Sequence, residues 1–462
     1  MSNWQTVTLE DVAESINTGL DAIRRAPIVE HQTNLRCLRI QDISQDKPFN
    51  EWGFTETKKS DYEKYKLTSG DIIIARTGGS IGVNKLIRND LESVFNNGLA
   101  RIRVNKNFAT PEFIYCVMQS INFKSHINAI SSGTAAQPNM KVGDMAKFEF
   151  KLPPLNEQKK ITETIFAFID KIHLNTQINQ TLEQIAQALF KSWFVDFDPV
   201  RAKVQALSDG LSLEQAELAA IQAISGKTPE ELTALSQAQP DHYAELAETA
   251  KAFPCEMVEV DGVEVPKGWE MKALPEIIDF LEGPGIRNWQ YTDEEDGIKF
   301  INIRCIQNGD LTLTTANKIT KEEAFGKYKH FQLEEDDIVV STSGTLGRFA
   351  FVRKEHLPLS LNTSVIRFRP IKNKSSLGFI TGFVENQLQH ELEIRASGSA
   401  QRNFGPTHLK QISLLVPDFK LLELHQKYAS SLFEKRKQLL SEIDVLKDTR
   451  DLLLPKLLNG EI

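Results

Sequence analysis

Val94-Phe95-Asn96-Asn97-Gly98-Leu99-Ala100-Arg101-Ile102-Arg103 lies over Ser360-Leu361-Asn362-Thr363-Ser364-Val365-Ile366-Arg367-Phe368-Arg369, 266 residues further along the chain. The same offset relates Gly70-Asp71-Ile72-Ile73-Ile74 to Asp336-Asp337-Ile338-Val339-Val340. Both apolar runs enter a glycine turn, Thr77-Gly78-Gly79-Ser80-Ile81-Gly82 in one copy and the one-residue-shorter Ser343-Gly344-Thr345-Leu346-Gly347 in the other. Further on, Ser132-Gly133-Thr134-Ala135-Ala136-Gln137-Pro138-Asn139 faces Ser397-Gly398-Ser399-Ala400-Gln401-Arg402-Asn403, and each loop leads to a strand closed by proline, Leu152-Pro153 and Val416-Pro417. Trp4-Gln5 and Trp269-Glu270 open the two copies, 265 apart. Anchors in one order at offsets of 263 to 266 define an internal duplication, which fixes the architecture before any local reading.

Each copy has two parts. Short β-branched runs (Ile72 to Ile74, Arg101 to Val104, Phe148 to Leu152) alternate with Gly/Asn/Ser turns around one helical run near Pro111 to Ile130, which reads as an α+β domain. After the proline the period changes. Ile161, Ile165, Phe168, Ile172, Leu182, Ala186, Leu189 and Trp193 follow steps of three and four, and Tyr428, Leu432, Leu439, Leu446, Leu453 and Leu457 do the same in the second copy. The predicted fold is α+β: two duplicated globular domains separated by a pair of long antiparallel (coiled-coil) helices. The boundaries are a first domain over 1–153, a central helix over 154–196, an acidic helical connector over 197–262, a second domain over 263–417 and a C-terminal helix over 418–462. Asn175 and Asn179 fall on the seam of the first helix, where they either fix its pairing register or lie exposed beyond the contact.

A chain of 462 residues has room for several cores, and with 41% hydrophobic and 25% charged residues it is globular, not disordered or collagen-like. No apolar run is long enough to span a bilayer and the polar start is not a signal peptide, so a soluble cytoplasmic protein without a membrane partner is expected. Cys37, Cys116, Cys255 and Cys305 lie far apart with no C-x-x-C, which indicates neither disulfides nor a zinc site. The net charge of -8 resides in the connector, where 197–262 carries 4 basic and 12 acidic side chains. The remainder is neutral, so the balance neither announces nor excludes nucleic acid.

Catalytic motifs are missing. No G-x-x-x-x-G-K-[ST] occurs, Gly78-Gly79-Ser80-Ile81-Gly82 lacks the lysine and the spacing, and Pro153-Pro154 is preceded by Leu152 where an adenine methyltransferase loop needs Asn or Asp. The nine histidines have no nucleophile at a telling spacing. No catalytic residue, no metal and no cofactor are therefore assigned.

The passage Leu152-Pro153-Pro154-Leu155-Asn156-Glu157-Gln158-Lys159-Lys160-Ile161 and the helix end Leu189-Phe190-Lys191-Ser192-Trp193-Phe194-Val195-Asp196-Phe197-Asp198-Pro199 resemble the specificity subunit of type I restriction-modification enzymes. So do Val265-Pro266-Lys267-Gly268-Trp269 and the tail Leu453-Leu454-Pro455-Lys456-Leu457-Leu458-Asn459-Gly460-Glu461-Ile462, and the resemblance covers the whole chain. It implies two target-recognition domains, each reading one half of a split double-stranded DNA sequence. It also implies helices that set the gap and dock two modification (methyltransferase) subunits, motor-nuclease restriction subunits joining through that core, and no catalysis by the chain itself. One departure is Val416-Pro417-Asp418-Phe419-Lys420, where the family shows Pro-Pro-Leu and a Glu-Gln pair. The alternative is a bivalent scaffold that binds proteins and never DNA.

Phosphates want Lys, Arg and backbone N–H groups in open turns, and bases want Arg, Asn, Gln or Ser on loops. The glycine turns offer Arg76, Thr77, Gly79 and Ser80 in one copy and Thr342, Ser343, Thr345 and Arg348 in the other, with a plain tight turn as the competing reading. The Ser-Gly loops are better candidates. They offer Thr134 and Gln137 with Lys141 nearby, and Ser399, Gln401, Arg402 and Asn403, where no acid stands between Ile394 and Val416. Lys64-Tyr65-Lys66 and Lys327-Tyr328-Lys329 read as the solvent face of a strand or as a backbone clamp. The apolar helix ends, Leu189, Phe190, Trp193 and Phe194 with Leu453, Leu454, Leu457 and Leu458, exceed what two helices need and are expected to dock the modification subunits.

Overall fold

The computed structural model describes residues 4–131, 139–307, 309–343, 347–395 and 404–462. The chain forms two compact units, one of residues up to Leu174 together with Glu442–Ile462, the other of Asn175–Ser441.

The first unit is built on a four-stranded antiparallel sheet in the order Ala13–Thr18, Leu99–Val104, Ile72–Ala75, Asn84–Leu86. Its centre is buried on both faces, which is why Ile72-Ile73-Ile74-Ala75 is a continuous apolar run and not an alternating one. Ile72 and Ile74 point into one core with Phe113, Met118 and Phe123, while Ile73 and Ala75 point into another with Leu38, Phe95 and Leu99. That second core is closed by a smaller sheet, Ile28–Val29, Gly53–Thr55, Arg36–Leu38, Ser93–Phe95, whose last two strands are parallel. Gln5–Thr8 pairs with Glu149–Leu152 and brings the ends of the domain together.

The second unit repeats this plan, with three strands in its smaller sheet where the first has four. Ile278–Glu282, Val365–Pro370, Ile338–Ser341 and Phe349–Phe351 make its central sheet, Lys318–Ile319, Ile298–Ile301 and Leu359–Leu361 its smaller one, and Glu270–Ala273 pairs with Ser413–Val416. Leu359–Leu361 again runs parallel to its neighbour, and Ile338 and Val340 again face a different core from Val339.

The long helices are Leu155–Phe194 and Phe419–Asn459, 40 and 41 residues, each about 60 Å at 1.5 Å per residue. In the first unit Ile165 shares a cluster with Leu454, and Lys171 faces Glu442 at 3.4 Å. In the second, Glu183 faces Arg436 at 3.4 Å and the rings of Phe190 and His425 lie 6.5 Å apart. Residue numbers run in opposite senses, so the pairing is antiparallel in both units. Of the expected seam residues on the second helix Leu439 is buried, whereas Leu432, Leu446 and Leu453 are half-buried beside the buried Phe433, Ile443 and Leu454, because the helix must also pack on its domains. Asn175 is wholly buried on the first helix, and neither of its amide atoms has a hydrogen-bond partner. Exposure is thereby ruled out for it.

Residues 197–262 contain Asp198–Ser208, Leu213–Ser225, Pro229–Ala238 and Pro240–Ala252 as helices. Ser212 with Gln215 and Thr228 with Glu231 form capping boxes at two of the starts. The helices close on Ala220, Ile221, Leu232, Leu246 and Ala250, so the acidic side chains stay in solvent. Lys203 is buried, and its ammonium donates to the carbonyls of Ala250 and Phe253 at 3.0 and 2.7 Å, closing the last helix of the set.

Candidate nucleic-acid interface

At one end of each central sheet three loops meet. In the first unit the N–H of Arg76 donates to Gly98 at 2.9 Å, joining the glycine turn to the Asn96-Asn97-Gly98 turn. The N–H of Met140, the residue that follows the Ser-Gly loop, donates to the carbonyl of Arg76 at 2.8 Å. The second unit repeats both bonds, Thr342 to Ser364 at 2.9 Å and Phe404 to Thr342 at 3.1 Å. Gly82 (φ +87°) and Gly347 (φ +74°) sit at corresponding places in the left-handed region that L side chains avoid, which is why both turns end on glycine. Gly19 and Gly283 also correspond. A Cβ there would lie 2.2 Å from the carbonyl oxygen of Asn96 and 2.1 Å from that of Asn362, so only glycine lets the preceding strand pass the asparagine turn.

Arg76 is half-buried. Its guanidinium donates to the carbonyl of Asn97 at 3.1 Å and to the side chain of Asn139 at 3.2 Å, tying all three loops together. Thr342, its counterpart, is 4% exposed with both backbone groups bonded. Of the expected phosphate contacts, Arg76 thus has its guanidinium bonded within the chain and Thr342 has its side chain covered. Thr77 and Ser80 are half-buried and Gly79 is exposed, with open space beside Gly78 and Gly79. Lys141 and Arg348 are exposed cations, and Ser343 is half-buried. Thr134, Gln137, Thr345, Ser399, Gln401, Arg402 and Asn403 lie outside the described residues.

Lys64-Tyr65-Lys66 and Lys327-Tyr328-Lys329 are not strands. Tyr65 ends the helix Lys59–Tyr65, Tyr328 precedes the single turn Lys329–Phe331, and both rings are buried. The apolar helix ends are also used within the chain. Phe190, Trp193 and Phe194 enter the core of the second unit with Phe379 and Trp269, and Leu454 packs on Cys116 and Ile165 in the first. Leu189, Leu453, Leu457 and Leu458 are half-buried. Four of the eight side chains expected at the docking site are thus buried within the chain. The exposed large apolar side chains of the helices lie elsewhere: Leu155, Leu174, Ile178 and Ile185 on the first, Val445 and Leu452 on the second.

The junction motif has a plain physical role that its sequence did not disclose. The Trp4 indole N–H donates to Glu157 at 3.0 Å. Gln158, wholly buried, accepts from the N–H of Thr110 at 2.8 Å and donates to the carbonyls of Phe108 and Pro153 at 3.0 and 2.9 Å, fastening the first domain to its helix. Asn97 and Asn139, the acceptors of Arg76, were visible only as repeat anchors. Among the described residues no His, Cys, Asp or Glu cluster could hold a metal. Burial pushes the thiols of Cys37 and Cys116 up to about 12, which keeps them unreactive.

A family model described as the type I restriction modification DNA specificity domain matches residues 1–184 and 266–438. The chain belongs to that family. It is 39% identical over 473 residues to the type I restriction enzyme HindI specificity subunit of Haemophilus influenzae, covering all of both chains. It is 23% identical to the MjaIX specificity subunit of Methanocaldococcus jannaschii over 84% of this chain and 77% of that one. The crystal structure of the type I system S subunit from M. genitalium shares the fold, with a TM-score of 0.50 at 16% identity, covering 98% of this chain and 96% of that one. As a specificity subunit the chain confers DNA sequence specificity through two homologous domains and carries no catalysis of its own. Residues 185–265, which include the acidic connector, fall outside the family match.

Proposed function

We propose that each globular domain reads one half of a split double-stranded DNA target, through the three-loop end of its central sheet. The observation that carries this is the duplication of that end: the same two backbone bonds, the same left-handed glycine and the same close glycine–asparagine passage occur in both units. The base-reading candidates are Thr134, Gln137, Ser399, Gln401, Arg402 and Asn403, outside the described residues, with Lys141 and Arg348 as the phosphate candidates. The paired helices act as the spacer. Two modification subunits dock on them, on faces that include Leu174, Ile178, Ile185, Val445 and Leu452, and motor-nuclease subunits join through that assembly in the cytoplasm. No helix among the described residues is long and apolar enough to cross a membrane.

Co-expression with a type I methyltransferase, followed by mapping of methylated adenines in host DNA, tests the reading. Methylation at one split motif is expected, and replacing Gln401, Arg402 and Asn403 with Ala should relax one half of it only. Absence of a split motif, or a triple variant with an unchanged one, overturns the corresponding part of the proposal.

A further inference from the structure

Ile23 is 88% exposed and Trp289 is 80% exposed, more than any other large apolar side chain among the described residues. They are 266 residues apart, each on the single helical turn that follows the corresponding glycines Gly19 and Gly283. Ile23 is the second residue of the single helical turn Ala22–Arg25, and Trp289 the second residue of the single turn Asn288–Gln290. A lone exposed apolar residue is ordinary. Two on corresponding turns of a repeat, each turn bonded into its domain, call for a common cause.

Their mounts are alike. Arg25, which ends the first turn, bonds Asp61 through Nε at 3.0 Å and lies 5.3 Å from the ring of Tyr65. Gln290, which ends the second, donates to Glu323 and to the Tyr328 hydroxyl, both at 2.9 Å. The base of each turn is buried, Leu20 and Ala26 in the first and Ile286 in the second. Each is also bonded to the asparagine turn of the three-loop end: Leu20 N–H to Phe95 at 3.1 Å in one unit, and in the other Ile286 N–H to the Asn362 side chain at 3.0 Å with Thr363 N–H to Pro284 at 2.8 Å. An exposed arginine lies on or next to each turn, one residue after Ile23 and two before Trp289. Arg24 has an 85% exposed side chain and pairs with Asp21 at 3.8 Å on the surface, and Arg287 is exposed.

We infer that Ile23 and Trp289 are apolar DNA-reading wedges, one per domain, pressing on base edges or between base steps while Arg24 and Arg287 take the flanking phosphates. An apolar side chain next to a cation, at the sheet end that also presents Lys141 in one unit and Arg348 in the other, matches the pairing of apolar bases with phosphate along a duplex. The rigid mount serves this purpose, because a wedge that must open a base step cannot give way. The inference rests on the proposal that each domain reads half of the target.

The test uses the full chain assembled with its methyltransferase, with Ile23→Ser and Trp289→Ser as separate variants. Methylation mapping first fixes the motif of the unaltered complex, and absence of any split motif at that stage defeats the proposed function itself. With the motif in hand, each variant should bind a duplex carrying it about tenfold or more weakly, or relax one half of the motif, a different half for each. Melting temperature and assembly with the methyltransferase should stay unchanged. Unaltered affinity and motif in both variants, or a loss of subunit assembly in place of DNA reading, overturns the inference while leaving the proposed function intact.

Discussion

Asp71 receives two N–H bonds from Arg103 on the neighbouring strand, at 2.7 and 3.3 Å. The carboxylate is 2% exposed and also accepts from the N–H of Thr68 at 3.0 Å, so it closes the turn before its strand as well. Asp337 and Arg369 repeat the pair at 2.7 and 2.8 Å, with Glu334 N–H as the extra donor at 2.7 Å. Asp71→Asn removes the counter-charge of Arg103 and leaves the nearly buried Arg101 short of one too, while Asp337→Asn leaves Arg369 only the more exposed Glu334 at 3.1 Å. Asp71→Asn and Asp337→Asn should each cost about 2–3 kcal/mol, read as a lower urea midpoint. A loss under about 0.5 kcal/mol would show that the pair is incidental.

A buried amide with no partner is a stability defect kept for another reason. Asn175 is wholly covered with both amide atoms unpaired, on a seam that would otherwise be apolar. Asn175→Leu should therefore raise stability by about 1–2 kcal/mol and the melting temperature with it. If Asn175 selects the pairing of the long helices, the variant should also form mispaired or higher oligomers, seen by light scattering. A variant that is less stable than the parent would mean that the amide is satisfied by bound water.

What could be read from the residues alone follows from what pattern encodes. The strands around Ile72–Ala75 and Ile338–Ser341, the glycine turns and the long helices were legible, because each is a local period or a φ requirement and each occurs twice. Long-range partners were not. Arg76 looked like a free cation because nothing local shows that Asn97 and Asn139 will meet it. Trp193 and Phe194 looked like a surplus because the helix sequence does not show that Phe253, Phe379 and Trp269 will cover them. Tyr65 and Tyr328 stood out only as a repeated Lys-Tyr-Lys, and their use as mounts for the neighbouring turns depends on contacts with Arg25 and Gln290 far along the chain.

Gln158 offers a sharper case of the same kind. Its three bonds satisfy one N–H and two carbonyls at the root of the first long helix. The second copy has Leu422 at the matching position, also wholly buried, so the site tolerates the shape of leucine. Gln158→Leu keeps the volume and loses the bonds. It should destabilise by about 2–3 kcal/mol through the stranded backbone groups, and hydrogen exchange of the Thr110 amide should quicken first. Unchanged exchange at Thr110 would remove the fastening role.

The last prediction concerns acid. His425 is fully enclosed by the second unit, its ring centroid 4.8 Å from Phe194 and 5.4 Å from Trp193, and neither ring nitrogen has a partner. Burial alone holds its imidazole far below the ordinary value of 6.5, at about 3, because a proton there would be a charge in an apolar shell. The folded chain therefore keeps this ring neutral, while the unfolded chain protonates it below about pH 6.5. Its contribution is complete above that pH and is lost steadily as pH falls towards 3, about 2 kcal/mol between pH 7 and pH 5. Glu385 in the same unit acts with the opposite sign. Desolvation raises its carboxyl to about 7 despite the bond from Arg436 at 2.9 Å, with Glu183 nearby adding to the rise, so its neutral form is favoured when folded and its share is lost as pH rises from about 4.5 to 7. Comparing the wild type with His425→Phe cancels the Glu385 part. Urea unfolding at pH 7, 6 and 5 should show the wild type losing about 2 kcal/mol more than the variant over that interval. Parallel losses in the two chains would mean that His425 is protonated, and so hydrated, in the folded state.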